Sequence, residues 1–86
     1  MMGLIRSRED AHSAAQELMR LSAHAPTMRP EIEECIYDAC RFIWAEEHID
    51  LLVKHGIAPE EKDEADASKA FERFRSRHNR LIEQRS

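Results

Sequence analysis

Three carboxylates lie close together near the middle of the chain, at Glu46, Glu47 and Asp50. On an α-helix their side chains would project from one side, where they could transfer protons in acid–base catalysis or supply half of a metal site. The more common arrangement is an apolar helix face that reaches solvent here, with Asp50 paired to Lys54 four residues later. We therefore predict no catalytic residues and assign the three carboxylates to a protein-binding surface.

Trp44 and Leu51 border these carboxylates and complete the predicted protein-binding surface. Apolar anchors with a charged rim are typical of surfaces that bind another protein rather than of catalytic sites. Because the rim is acidic, we expect the partner to present a basic surface.

The histidines are the other residues with metal or proton chemistry. His48 and His55 share one face of the same predicted helix, but a metal site needs three or four converging donors. We therefore predict no metal and no cofactor. His78 interrupts an apolar stripe further along the chain, where we expect a core histidine held by Tyr37 or Glu34. The alternative is a pH-sensing or ligand-binding position.

The two cysteines, Cys35 and Cys40, are five residues apart, which places them about 140° from each other around a helix. They cannot form a disulfide bond within one helix, and their spacing is not that of a C-x-x-C zinc or redox site. We interpret both as small buried thiols, the exception being a disulfide to another chain. The sequence also has no glycine-rich phosphate loop and no plausible nucleophile elbow. We therefore predict that the protein is not an enzyme.

Composition indicates a helical protein. The 86 residues include only two Gly and three Pro, with 35% charged and 42% hydrophobic residues. The chain is acidic, with a net charge of −4 and a pI near 5.7. It has no apolar run near the roughly 18 residues of a membrane span, and its first residues lack the apolar core of a secretion signal. We expect a cytoplasmic protein that does not enter a membrane.

Local signals divide the chain into three helices within a single domain. Ser7 and Asp10 form an S-x-x-D helix start, Pro26 and Pro30 separate the first two helices, and Gly56 ends the second. The predicted helices span residues 8–24, 31–55 and 59–84. The short connection after the second helix predicts that the second and third pair as a long antiparallel hairpin.

This hairpin would place Trp44 against Phe71 or Phe74 in the core. The apolar residues of the second helix also spread over about 240° of its circumference, more than one neighbouring helix can cover. The seam that would need a second cover contains Ile32, Ile36, Ala39 and Ile43. Either the first helix covers it, giving a three-helix bundle, or the second helix of another copy does. We favour the second arrangement, and therefore predict an all-α homodimeric bundle.

A basic arc on the third helix suggests nucleic acid as an alternative partner. It contains Lys69, Arg73, Arg77 and Arg80. These side chains could contact a few phosphates, but Glu72 and Glu83 lie among them and the whole protein is acidic. Our leading interpretation is a regulatory interaction protein, adaptor- or inhibitor-like, that binds and modulates a larger protein through the second helix. The alternative is a small nucleic-acid-associated protein.

Overall fold

The computed structural model describes residues 3–24 and 29–85. They form three helices, α1 (Arg8–His24), α2 (Pro30–Lys54) and α3 (Glu61–Arg85), and this part of the chain contains no strand. The prediction of an all-α, three-helix protein is confirmed. α2 begins one residue earlier than expected and α3 two residues later. Pro26, which we expected to separate the first two helices, lies outside the described residues.

The S-x-x-D sequence starts α1 as predicted. The Ser7 hydroxyl accepts a hydrogen bond from the Asp10 amide at 3.1 Å, and the Asp10 carboxylate accepts one from the Arg6 amide at 3.1 Å. These bonds engage backbone amides at and just before the first turn of the helix, where amides have no intrahelical partner.

Gly56 ends α2 with a positive φ of 75°, a conformation that glycine adopts without a steric penalty. The Gly56 amide donates to the Val53 carbonyl at 3.0 Å, and the Ile57 amide donates to the Leu52 carbonyl at 2.8 Å. This pair of bonds is the Schellman motif, which satisfies carbonyls that the end of a helix would leave unpaired.

α3 begins at Glu61 rather than at Pro59, and two hydrogen bonds to the backbone of Glu60 form its N-terminal cap. The Glu60 carbonyl accepts a hydrogen bond from the Glu64 amide at 3.2 Å. In return the Asp63 carboxylate accepts one from the Glu60 amide at 3.1 Å. This carboxylate also lies in the first turn, where the helix dipole favours negative charge.

The core lies where the three helices meet. Phe42 of α2 and Phe74 of α3 are completely buried, with ring centroids 6.1 Å apart, and Phe71 lies 5.9 Å from Phe42. Smaller buried side chains surround these rings: Ala11, Ala14, Ala15, Leu18, Cys35 and Ala39.

The prediction that Trp44 packs in this core is wrong, because Trp44 is 71% exposed. Residues two apart on a helix point about 200° away from each other, so Phe42 and Trp44 cannot both face α3. Phe42 takes the inner position, and Trp44 consequently lies on the outer side of α2.

The apolar seam proposed for a homodimer is largely used within the single chain. Ala39 is fully buried, and Ile36 and Ile43 are partly buried against the core to which α1 contributes. Ile32 is also partly buried. α1 therefore supplies the cover that we considered as the alternative to a second copy, and a homodimer stays a prediction.

The segment before α1 adds a core residue that the helical patterns did not predict. Ile5 is only 2% exposed, and its backbone is hydrogen-bonded to Asn79 of α3. It lies outside any helix, so helical spacing could not place it in the core.

Candidate docking surface

The outer side of α2 carries a line of large apolar side chains. Tyr37, Trp44 and Leu51 are 62%, 71% and 55% exposed. They recur every seven residues, which is close to two helical turns, so they fall on one stripe along the helix. We call these three residues the outer stripe. Single exposed apolar residues are common on proteins, so it is the alignment of three large ones on one side of a helix that makes the outer stripe a candidate interaction surface.

Polar side chains support the outer stripe on its α3 side. The His48 ring stacks on Trp44, with centroids 6.0 Å apart and an interplanar angle of 11°. His48 Nε2 also lies 3.5 Å from the Asp63 carboxylate of α3. The Arg41 guanidinium lies 5.5 Å from the centroid of the Tyr37 ring, a cation–π distance. These contacts limit the orientations that Tyr37 and Trp44 can adopt.

The three predicted carboxylates do not share one environment. Glu46 accepts a hydrogen bond from Arg8 of α1 at 3.2 Å, and only 15% of its side chain is exposed. Arg8 also donates to Ser68 of α3 at 2.9 Å, so Glu46 belongs to a contact that joins the three helices. Glu47 and Asp50 are exposed. Only these two are available to a partner.

The residues of the predicted basic arc also differ in their environments. Arg77 donates to the Asp38 carboxylate at 2.5 Å and also binds Glu34, so it joins α3 to α2 although 40% of its side chain is exposed. Desolvation acts to lower the pKa of Arg77, but the hydrogen bond and charge of Asp38, together with Glu34, raise it above its ordinary value. Lys69, Arg73 and Arg80 remain exposed.

Sequence reasoning missed Asp38, a carboxylate that is only 5% exposed. A helical projection contained the signal, because Asp38 lies one turn before Phe42 and one residue before Ala39 on the inner side of α2. Burying a carboxylate requires a charged or hydrogen-bonding partner, and Arg77 supplies both interactions.

A groove between α2 and α3 brings together residues from the two predicted sites. Its volume is about 310 Å³. The lining residues are Asp38, Arg41, Trp44 and Ala45 of α2 and Asp66, Lys69, Ala70 and Arg73 of α3. We call this the basic groove. Trp44 belongs to it as well as to the outer stripe, so the two surfaces are continuous.

His78 is buried, with 3% of its surface exposed, as expected for a core histidine, but its predicted partners are wrong. Tyr37 is exposed and Glu34 pairs with Arg77. His78 Nδ1 instead lies 3.3 Å from the Asn79 side-chain oxygen, and Nε2 has no hydrogen-bond partner among the described residues. Burial lowers the pKa of His78, and the hydrogen bond with Asn79 offsets this only in part.

The cysteines differ in accessibility. Cys35 is 1% exposed, and its pKa is raised to about 11 by burial and by the nearby charge of Asp38. Cys40 is exposed, so the prediction that both thiols are buried is wrong for this residue. The same projection that places Trp44 outside places Cys40 on the outer side of α2.

No group of three or more His, Cys, Asp or Glu side chains among residues 3–24 and 29–85 is arranged to hold a metal ion. His48 and His55 are both exposed. None of the helices in these ranges is long and apolar enough to span a lipid bilayer. Comparison of the chain with protein-family models, curated proteins and solved structures finds no significant match.

Proposed function

We propose that this chain is a non-enzymatic regulatory interaction protein, adaptor- or inhibitor-like, that binds and modulates a larger protein through the outer side of α2. The observation that supports this function is the outer stripe, in which Tyr37, Trp44 and Leu51 are each more than half exposed at heptad spacing. Tyr and Trp are also the side chains most often found to dominate binding energy at protein interfaces.

The spacing of the outer stripe fits a helical partner segment. Apolar residues that repeat every seven positions form a seam that drifts only about 20° per repeat around the helix, so another amphipathic helix can pack along it. In this proposal α2 and α3 act as an antiparallel hairpin that holds the seam rigid. The bonds from Arg77 to Asp38 and Glu34 support that rigidity by joining the two helices at one level. Exposed Glu47 provides an acidic flank next to Trp44 and Leu51.

A homodimer is a second proposed use of the same stripe. The seam predicted for self-association lies against the chain's own core, where Ala39 is fully buried. A second copy would therefore have to bind the outer stripe and would compete there with the larger partner.

The test is capture from a lysate of the source cells with the tagged chain, followed by mass spectrometry. The test variant combines Tyr37→Ala, Trp44→Ala and Leu51→Ala. The matched control combines Met19→Ala and Leu21→Ala on α1, which are also exposed apolar residues. Circular dichroism first establishes that both variants keep their helicity, and light scattering after gel filtration reports whether the chain is a dimer.

We expect a specific protein to be captured by wild type and by the α1 control but not by the outer-stripe variant. Capture of the same protein by the outer-stripe variant would overturn the proposed surface. Loss of a wild-type dimer in that variant would assign the stripe to self-association.

Nucleic-acid binding is the second candidate function, because Lys69, Arg73 and Arg80 are exposed on one side of α3 and make no ion pair within the described residues. The net charge of −4 opposes it. If three phosphates were contacted on duplex DNA, the logarithm of affinity would fall with the logarithm of salt concentration at a slope of about −2.7. Absence of this dependence, or of binding, would exclude the candidate.

A further inference from the structure

We propose that the basic groove binds a short acidic stretch of the partner protein, with an apolar side chain of that stretch packed on Trp44. This inference rests on the proposed function, because the groove adjoins the outer stripe and shares Trp44 with it. It specifies the chemistry of one part of the partner.

The charge of the groove is opposite to that of the chain. Arg41, Lys69 and Arg73 supply three cationic groups, and the carboxylates in the lining are Asp38 and Asp66. Asp38 is already bound by Arg77. Arg77 also pairs with Glu34, so Asp38 stays in the count, and the lining has three cations against two carboxylates. The groove therefore has an excess of one positive charge in a protein whose net charge is −4.

The cationic groups of α3 are available to an incoming anion. Lys69 and Arg73 are exposed and make no ion pair within the part of the chain that the structure describes. They lie four residues apart, so one helical turn separates them and both project toward the groove. Arg41 approaches from α2, with its guanidinium over Tyr37. Guanidinium groups bind carboxylates through paired, charge-assisted hydrogen bonds.

Trp44 adds an apolar wall beside these cations. Its exposed indole and Ala45 line the α2 side of the groove, and Ala70 lies on the α3 side. A volume of about 310 Å³ is at the small end for ligand pockets, and it suits one or two side chains better than a large cofactor. The arrangement therefore fits a segment that presents carboxylates around one apolar residue.

An acidic peptide fits this surface better than a nucleic acid does. A long polyanion would be repelled by the net negative charge of the chain and would meet Asp66 in the groove. The surface also continues from Trp44 onto Tyr37 and Leu51, which offer apolar contacts in line with the groove. A polypeptide can supply carboxylates and apolar side chains together, as this combined surface requires.

The test uses the full chain and a dye-labelled synthetic peptide in which glutamates surround one phenylalanine. Binding is followed by fluorescence anisotropy. The comparison ligands are the same peptide with glutamine in place of every glutamate and a labelled single-stranded oligothymidine of similar length. The test variant is Lys69→Gln with Arg73→Gln. The control is Lys54→Gln with Lys62→Gln, which removes the same charge from exposed positions outside the groove.

We expect the acidic peptide to bind wild type and the control equally and to bind the Lys69→Gln, Arg73→Gln variant about tenfold more weakly or worse, the effect of losing one or more charge-assisted bonds. Trp44→Ala should weaken binding as well. Equal binding of the glutamine peptide, or no binding of the acidic peptide by wild type, would overturn the inference. Tighter binding of oligothymidine that is lost in the same variant would assign the groove to nucleic acid.

Partner capture separates this inference from the proposed function. If the groove variant captures the partner as wild type does while the outer-stripe variant does not, the acidic-segment inference fails and the docking function stands. If the groove variant and the outer-stripe variant both lose the partner while their two control variants keep it, both proposals are supported.

Discussion

The side-chain amide of Asn79 hydrogen-bonds to the backbone of Ile5 in both directions. Asn79 Oδ1 accepts from the Ile5 amide at 2.8 Å, and Asn79 Nδ2 donates to the Ile5 carbonyl at 3.1 Å. The pair fastens the segment before α1 to the last third of α3, across 74 positions of sequence. It also holds the Ile5 side chain in the core, where it is 2% exposed.

This relationship predicts that a residue outside the helices contributes strongly to stability. Ile5→Ala should lower the free energy of unfolding by about 2–5 kcal/mol, because it removes a buried side chain and leaves a cavity. The neighbouring Leu4→Ala, at a position 37% exposed, should change it by only about 0.5 kcal/mol. Urea denaturation followed by circular dichroism measures both. Similar effects of the two substitutions would show that the segment is not anchored through Ile5.

Arg77 and Arg75 allow an ion pair with a buried carboxylate and one with an exposed carboxylate to be compared on one helix, because both arginine side chains are 40% exposed. Arg77→Ala should cost about 1–3 kcal/mol, because it leaves the buried Asp38 carboxylate without its cation. Arg75→Ala breaks the surface pair with Glu72, whose N–O distance is 2.6 Å, and should cost about 1 kcal/mol or less. Adding Asp38→Asn to Arg77→Ala should recover part of the loss. A larger cost for Arg75→Ala would contradict this assignment.

Burial of His78 predicts that stability falls in mild acid. Because its pKa is lowered in the folded state, the unfolded chain binds a proton more readily as pH falls below about 6.5, the ordinary histidine pKa. The neutral form is favoured in both states at higher pH, so no such loss occurs there. His78→Leu should flatten the fall in stability below that pH. His55→Gln, at an exposed position, should leave it in place.

Chemical denaturation at several pH values provides the measurement for His78. The informative quantity is the slope of unfolding free energy against pH rather than its absolute size, since His78→Leu also changes core packing. An unchanged slope in His78→Leu would mean that other groups cause the pH dependence.

The two thiols should react at very different rates with a disulfide reagent. Cys40 is exposed, whereas Cys35 is buried and its pKa of about 11 keeps it protonated near neutral pH. We expect one thiol per chain to react rapidly in the native protein and the second to react only on unfolding. Cys40→Ser should remove the rapid phase, and Cys35→Ser should retain it. A rapid phase that survives Cys40→Ser would contradict the burial of Cys35.

Local signals predicted much of the helical organisation. Ser7 and Asp10 at the start of α1 and Gly56 at the end of α2 act within a few residues, so their hydrogen bonds can be anticipated without knowledge of the tertiary fold. The all-α class also followed from composition and from the spacing of apolar residues.

The rotation of α2 could not be predicted in the same way. Its apolar residues surround most of the helix, so the pattern allowed either Trp44 or Phe42 to face the core. The choice depends on contacts between residues that are distant in sequence. One is the contact of Phe74 with Phe42, and the other is the bond from Arg77 to Asp38, which lies 39 positions away. For the same reason the exposure of the candidate docking residues was predicted only in part. Trp44 and Leu51 are exposed, whereas Glu46 is tied to Arg8.

The small side chains on α1 have a consequence for native-state hydrogen exchange. Ala11 and Ala15 are fully buried but remove little apolar area from water, so detaching α1 should cost less free energy than global unfolding. Amides of α1 should then exchange through a sub-global opening, ahead of those around Phe74. Because the Phe42 ring lies 5.0 Å from His12 of α1, each such opening would briefly expose one face of that ring to solvent.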